Sequence, residues 1–200
     1  MTVADALSDR RSCRSFAEEP LAPGLLDDLV DRARRTPTAG NCQGVEFLVL
    51  EGDGVGDYWD VTLPANRRES FPWPGLLAAP VLVIPWGVAD RYLDRYAESD
   101  KASTGLGDST ENWPVPYWLI DAAFAAMAFQ LLVVEAGLGC CFFGMFGHEG
   151  AVAERFEVPK GARAVGVVAV GHPDPATARS SGSVERGRRP LDEVIHRGKW

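Results

Sequence analysis

The sequence is poor in cysteine and histidine and has no excess of basic charge. It has four cysteines, none in a Cys-x-x-Cys pair, and three scattered histidines. This pattern suits neither a disulfide framework nor a zinc site, so no metal is expected. The net charge is -8. That balance argues against binding to nucleic acid or to an anionic membrane, because attraction to phosphates needs a broad basic surface.

The N-terminus lacks the apolar stretch of a secretory signal peptide. The residues MTVADALSDRR are mostly polar, so we expect a cytoplasmic protein with reduced thiols. The 200 residues, of which 46% are hydrophobic, predict one domain over 1–200 with a substantial core.

One apolar run, 118–137, has about the length that a bilayer core requires. Its sequence is WLIDAAFAAMAFQLLVVEAG. The polar residues Asp121, Gln130 and Glu135 argue against a membrane span. We therefore predict a helix at the centre of the core that is buried on nearly every side.

Shorter patterns predict further helices and a sheet. Thr2 can cap a first helix with Asp5, and apolar residues at helical spacing predict a second helix after Pro23. A last helix is predicted over 149–158. Four short apolar runs bounded by Gly or Pro predict strands of one covered sheet; they are 45–52, 79–87, 139–146 and 163–173.

A long polar segment, 99–118, lies before the apolar run. Loops of this length are often functional, which makes it a candidate substrate-side loop. Its aromatic end contains Trp113, Tyr117 and Trp118. These rings could stack on an aromatic acceptor or pack on the long helix, and the sequence leaves both interpretations open.

Two arginine clusters stand out in this acidic chain: RRSCRSF at 10–16 and RGRRP at 186–190. Guanidinium groups match phosphate oxygens geometrically, so the two clusters could converge on one anion such as a phosphomonoester. The alternative is that these arginines are solvated surface charge.

Four stretches, taken in order, resemble the nitroreductase superfamily of FMN-dependent oxidoreductases. They are RRSCRSF, PTAGNCQ at 37–43, GLGCCFFGMF at 137–146 and RRPLDEVIH at 188–196. The resemblance implies an α+β, three-layer fold with a central, mostly antiparallel sheet covered by helices. It also implies an intertwined homodimer with FMN at the subunit interface and a C-terminal segment that reaches across the partner.

The resemblance assigns cofactor contacts to the first two stretches. Arg10 and Ser12 would hold the flavin phosphate and ribityl chain, and Arg14 would meet the pyrimidine edge of the ring. In the second stretch, Pro37, Thr38 and Asn41 match the family's turn, whose Asn amide can hydrogen-bond that same edge.

The other two stretches complete the implied FMN site. The backbone near Phe143 and Gly144 would face the N5 and O4 side of the ring, and Arg186 and Arg188 would meet the phosphate. A fixed cation near N1 and O2 stabilises the reduced ring, which gives Arg14 its implied catalytic role.

The implied activity is transfer of a hydride from NAD(P)H through flavin N5 to a small aromatic, quinone or nitro acceptor by ping-pong kinetics. Two departures from the family pattern leave the acceptor open: Gly44 and Val45 replace a common Pro-Trp pair, and Met145 replaces a glycine. Alternatives are a flavin-binding protein without turnover, and a superfamily member that acts on flavin, deazaflavin-linked or dehydrogenation substrates.

Two cysteines, Cys42 and Cys140, lie in the stretches assigned to the cofactor. No partner that would lower a thiol pKa is evident, so we interpret both as small apolar fillers rather than redox thiols.

Overall fold

The computed structural model describes residues 1–177 and 186–200, which contain seven α-helices and five strands. The helices are α1 (Val3–Asp9), α2 (Leu25–Ala33), α3 (Asp53–Thr62), α4 (Ala65–Arg68), α5 (Ala89–Ala97), α6 (Tyr117–Glu135) and α7 (Glu149–Arg155). The strands are β1 (Val45–Glu51), β2 (Val81–Val88), β3 (Gly139–Phe143), β4 (Ala162–Ala164) and β5 (Val167–Gly171).

The strands form one sheet in the order β1-β2-β5-β3, and β4 also pairs with β2. All of these strand pairings are antiparallel. Val83 of β2 lies opposite Val49 of β1 on one side and Val168 of β5 on the other. The predicted α+β class with a mostly antiparallel sheet is therefore confirmed.

Both faces of the sheet are covered, because alternate residues of a strand point to opposite sides. Leu82 and Ile84 of β2 belong to a buried cluster that includes residues of α3 and α7. Their neighbours Val81 and Val83 belong to a second cluster, with residues of α2 and α6. The result is the predicted arrangement of helix, sheet and helix layers.

Local sequence signals explain several element ends. The Thr2 hydroxyl accepts from the Asp5 amide at 3.1 Å and the Asp5 carboxylate accepts from the Thr2 amide at 2.9 Å, so the predicted capping box at α1 is present. The last predicted strand is divided into β4 and β5. Gly166 lies between them with φ of +150°, which favours glycine.

The prediction that the long helix is buried on nearly every side was wrong. By length and composition α6 could cross a membrane, but it packs on α2 and β2. The opposite side keeps Phe124 50% exposed and Tyr117 42% exposed. The described part of this single chain covers the sides of α6 that face the sheet, α1 and α2, and the apolar side that carries Phe124 stays open.

Candidate functional site

The first arginine cluster runs beside the end of the sheet. Ser12 forms a parallel bridge with Cys140 of β3, and the Cys13 amide donates to the Cys140 carbonyl at 2.8 Å. A Cβ on Gly139 would lie 2.8 Å from Cys13 Sγ, which is closer than side chains approach. Glycine thus permits the close approach that brings segments 10–16 and 137–146 together.

Two cavities flank this junction. One, of about 340 Å³, is lined by Ser12, Arg14, Cys140 and their neighbours. The other, of about 310 Å³, is lined by Arg14, Phe143 and Gly144 among others. Arg14 lines both cavities, so the residue assigned to the flavin ring lies where they adjoin.

The two neighbouring arginines, Arg10 and Arg11, differ in their relation to the two cavities. Arg10 is half-buried and does not line either cavity. It lies close enough to Cys140 to affect the thiol: burial raises the pKa of Cys140, and the charge of Arg10 offsets part of that increase. Arg11, to which the resemblance gives no contact, does line the first cavity. Its guanidinium donates to the carbonyls of Ser8 and Arg10.

The second cavity has aromatic walls, of which the sequence predicted Phe143 but not Trp59 or Trp73. The Arg14 guanidinium lies 4.8 Å from the centre of the Trp73 ring, a cation-π contact. Phe143 stacks on Trp59, with ring centroids 5.8 Å apart and planes at 11°. The aromatic turn FPWPG at 71–75 was the only local signal for this wall, whereas Trp59 comes from a helix that no motif marked.

The second resemblance stretch, 37–43, forms a tight turn elsewhere on the chain. The Gln43 amide donates to the Thr38 hydroxyl at 3.0 Å, while Pro37 and Asn41 are exposed. Pro37, Thr38 and Asn41 do not line the two cavities around Arg14. One chain by itself therefore brings the first and third stretches together, but not the second.

The C-terminal arginines lie on an exposed tail. Arg186 and Arg188 are exposed, as is every residue of 186–200. Their neighbour Arg189 donates to the Glu193 carboxylate at 3.1 Å, which leaves it engaged within the tail. The tail presents the two assigned arginines to solvent in the single chain.

The aromatic end of the loop 99–118 packs inward. Trp113 and Trp118 are buried with Tyr92, and the Trp113 indole donates to the Leu106 carbonyl at 2.8 Å. Tyr117 is exposed on the first turn of α6. Of the two interpretations left open, packing on the protein is favoured for the two tryptophans. Tyr117 is partly exposed, and its ring also contacts Trp113, with centroids 5.9 Å apart.

Burial keeps the two cysteines near the predicted cofactor stretches in the thiol form. Burial, with a further contribution from the charge of Asp121, raises the pKa of Cys42 to about 11. Burial likewise raises the pKa of Cys140 to about 12. These shifts support the interpretation as fillers, because the thiolate is the reactive form.

We therefore expect slow thiol labelling of the native protein. With a pKa of about 11, roughly one Cys42 in a thousand is ionised at pH 8. Ellman's reagent at pH 8 should label the native protein far more slowly than the urea-unfolded chain, in which all four cysteines react. A fast native phase that disappears in Cys42→Ser would contradict this expectation.

Comparisons with known proteins identify the family. A family model described as the nitroreductase family matches residues 7–172. A curated relative, FMN reductase (NADPH) from Bacillus subtilis (strain 168), is 27% identical over 205 residues, covering 98% of this chain and 73% of that protein. A second from the same organism, FMN reductase [NAD(P)H], is 24% identical over 195 residues, covering 97% and 72%.

Solved structures share the fold. NfrA1 nitroreductase from B. subtilis superposes with a TM-score of 0.74 at 22% identity, covering 99% of this chain and 74% of that one. A nitroreductase-like family protein from Bacillus cereus gives a TM-score of 0.69 at 20% identity, covering 98% and 95%. Because the family model matches most of the chain, this protein belongs to the nitroreductase family.

Proposed function

We propose that this chain, an FMN-dependent NAD(P)H oxidoreductase, transfers a hydride to a small aromatic, quinone or nitro acceptor by a ping-pong mechanism. The family match and the names of the curated relatives support the cofactor and the reductant. The observation that carries the proposal is the position of Arg14, a cation between a cavity bordered by the Ser12 segment and a cavity with aromatic walls.

The residues around Arg14 fit FMN. A flavin needs flat apolar walls for its ring, a cation at its pyrimidine edge and cations or hydroxyls at its phosphate. Phe143 and Trp73 give the second cavity aromatic walls, and Arg14 supplies the cation. Ser12 supplies a hydroxyl in the first cavity, and Arg10 lies nearby.

Each residue has a distinct part in the proposed reaction. When bound, FMN supplies a ring that accepts a hydride at N5 and passes it on. Arg14 would hold a positive charge at the pyrimidine edge, where negative charge develops. Ser12 and Arg10, with Arg186 and Arg188 of the tail, would fix the phosphate, and the backbone of Phe143 and Gly144 would line the ring.

The proposed role of Arg14 predicts an effect on rate. Arg14→Ala should slow reduction of bound flavin by NADPH by roughly 10–100-fold, because a fixed charge at developing negative charge is lost. Flavin should stay bound, and Arg14→Lys should recover most of the rate. Stopped-flow absorbance of flavin-loaded protein measures this, and a wild-type rate in Arg14→Ala would exclude the electrostatic role.

We further propose that the chain works as an intertwined homodimer with FMN at the interface. Large exposed apolar patches commonly mark interfaces. Here α6 has an open apolar side, and the tail exposes more large apolar side chains: Leu191, Val194, Ile195 and Trp200. A second copy would cover both, and its turn 37–43 would supply the contacts that one chain leaves apart from Arg14.

We propose the cytoplasm as the location of the protein. The four cysteines are free, and Cys140 and Cys141 are buried as thiols. Unpaired cysteines are typical of a reducing compartment.

An anaerobic visible spectrum of the purified protein tests the proposed function. We expect a yellow protein that bleaches when NADPH or NADH is added and regains its colour with a quinone or nitro acceptor. A yellow protein that neither nucleotide bleaches would instead be a flavin-binding protein without this turnover. A colourless protein that does not bind added FMN would contradict the whole proposal.

A further inference from the structure

A buried carboxylate in α6 contacts the backbone of the turn 37–43. Asp121 is 2% exposed. Its Oδ2 atom accepts from the Ala39 amide at 2.8 Å and from the Tyr92 hydroxyl at 2.7 Å. A buried carboxylate is costly unless it is hydrogen-bonded, so these two donors make Asp121 acceptable in the core and tie α6 to the turn.

The turn has a backbone that needs such support. Gly40, Asn41 and Gln43 have φ of 61°, 55° and 50°. Residues other than glycine adopt such angles at a cost, and they persist where the surroundings fix them. A Cβ on Gly40 would also lie 2.8 Å from the Tyr96 ring, so this ring packs directly on the turn.

A second side chain holds the turn from outside. Arg95 Nε donates to the Gly40 carbonyl at 3.0 Å. Its other nitrogens donate to Asp100 at 2.7 and 2.8 Å and to Glu98 at 3.2 Å, which fixes the guanidinium. Asp121 therefore holds the turn at the Ala39 amide, and Arg95 holds it at the Gly40 carbonyl.

The Tyr92 hydroxyl is a lasting proton donor to Asp121. Burial raises the pKa of the Tyr92 phenol, and its bond to Asp121 raises it further. The hydroxyl therefore stays protonated and continues to donate. Its ring packs edge-on against Trp113 and Trp118, so the aromatic cluster beneath the loop 99–118 also orients this donor.

We infer that Asp121 is a positioning residue for flavin binding: through the Ala39 amide it fixes the turn that presents Thr38 and Asn41 to FMN. The inference rests on the proposed function, because the flavin contacts of the turn come from the family resemblance. Asp121 itself is buried and does not line either of the two cavities around Arg14. Its effect passes through the backbone of the turn.

Two variants separate positioning from simple stability. Asp121→Asn keeps the shape but presents an NH₂ group and a weaker, neutral acceptor, whereas Asp121→Ala removes both bonds. Val133→Ala is the matched control, because Val133 is fully buried on the same helix and belongs to the cluster of α2 and α6. Each protein is freed of flavin, and the dissociation constant for added FMN is measured from quenching of flavin fluorescence.

We expect FMN to bind about tenfold more weakly to Asp121→Ala and about threefold more weakly to Asp121→Asn. Hydrogen exchange at 39–43 should be faster in both. Val133→Ala should lower the melting temperature but leave the dissociation constant unchanged. If Asp121→Ala does not fold, the near-isosteric Asp121→Asn decides by the same two measurements.

The outcomes distinguish the two proposals. Faster exchange at 39–43 with wild-type FMN affinity overturns the positioning role while leaving the proposed function intact. Weaker binding in Val133→Ala equal to that in Asp121→Asn also overturns it, because the effect is then one of stability alone. Wild-type protein that does not bind FMN at all contradicts the proposed function instead.

Discussion

Replacing Arg10 and Arg188 together by alanine is expected to strip FMN from the purified protein. Each charge-assisted hydrogen bond to a phosphate contributes on the order of 1.5–3 kcal/mol. Losing two such bonds weakens binding by roughly 10²–10⁴-fold. The fold should survive, because Arg10 is half-buried at the end of α1 and Arg188 is exposed. Flavin released on denaturation, measured per chain, gives the occupancy, and titration of the apoprotein gives the dissociation constant.

A charge-matched control separates phosphate contacts from net charge. Arg91 pairs with Glu46 and Arg163 pairs with Glu149, and both arginines are exposed. The double replacement of Arg91 and Arg163 by alanine changes the net charge equally and should leave FMN occupancy at the wild-type level. Unchanged occupancy in the Arg10 and Arg188 variant would return both arginines to the solvated surface.

Placing a charge on the open side of α6 is expected to separate the subunits. Phe124 is 50% exposed at the middle of that side. In a dimer, Phe124→Glu would lose the burial of a phenyl ring and bury a carboxylate, once in each subunit. Burial of such a ring contributes about 1.5–3 kcal/mol in each subunit, so the dissociation constant of the dimer should rise by at least about 10²-fold. Sedimentation equilibrium measures this, and FMN should be lost with the dimer.

Phe124→Leu is the control for this prediction, because it keeps an apolar side chain at the same site. It should remain dimeric with bound FMN. A dimer that persists in Phe124→Glu would show that subunits associate through another surface. Wild-type protein that sediments as a monomer would remove the homodimer from the proposal.

Much of the fold follows from local patterns. The capping box of Thr2 specifies α1 directly, and short apolar runs bounded by Gly or Pro specify the strands, because both signals depend on near neighbours. Three helices, α3, α4 and α5, were not predicted. The helix α3 contains Gly54 and Gly56, which disfavour helices, and α4 has only four residues, so tertiary packing decided both. The helix α5 does contain a local signal, because its apolar residues recur at helical spacing: Ala89, Tyr92, Leu93, Tyr96 and Ala97.

The candidate site divides in the same way. The motif around Ser12 and Arg14 could be found from the sequence, because the chemistry of those side chains and their spacing are local properties. The aromatic wall at Trp59 and Trp73, and the bond from Asp121 to the turn, depend on residues brought together from separate elements. No local pattern contains that information.

The sequence by itself determined the strands, the buried pattern of the sheet and the motifs of the nitroreductase family, since these depend on side-chain chemistry over a few residues. The tertiary structure decided which side of α6 stays open, where Arg14 lies between two cavities, and which side chains hold the turn 37–43. The physical reason is that burial and hydrogen-bond partners depend on contacts between residues far apart in the chain, and only the folded arrangement of the layers specifies them.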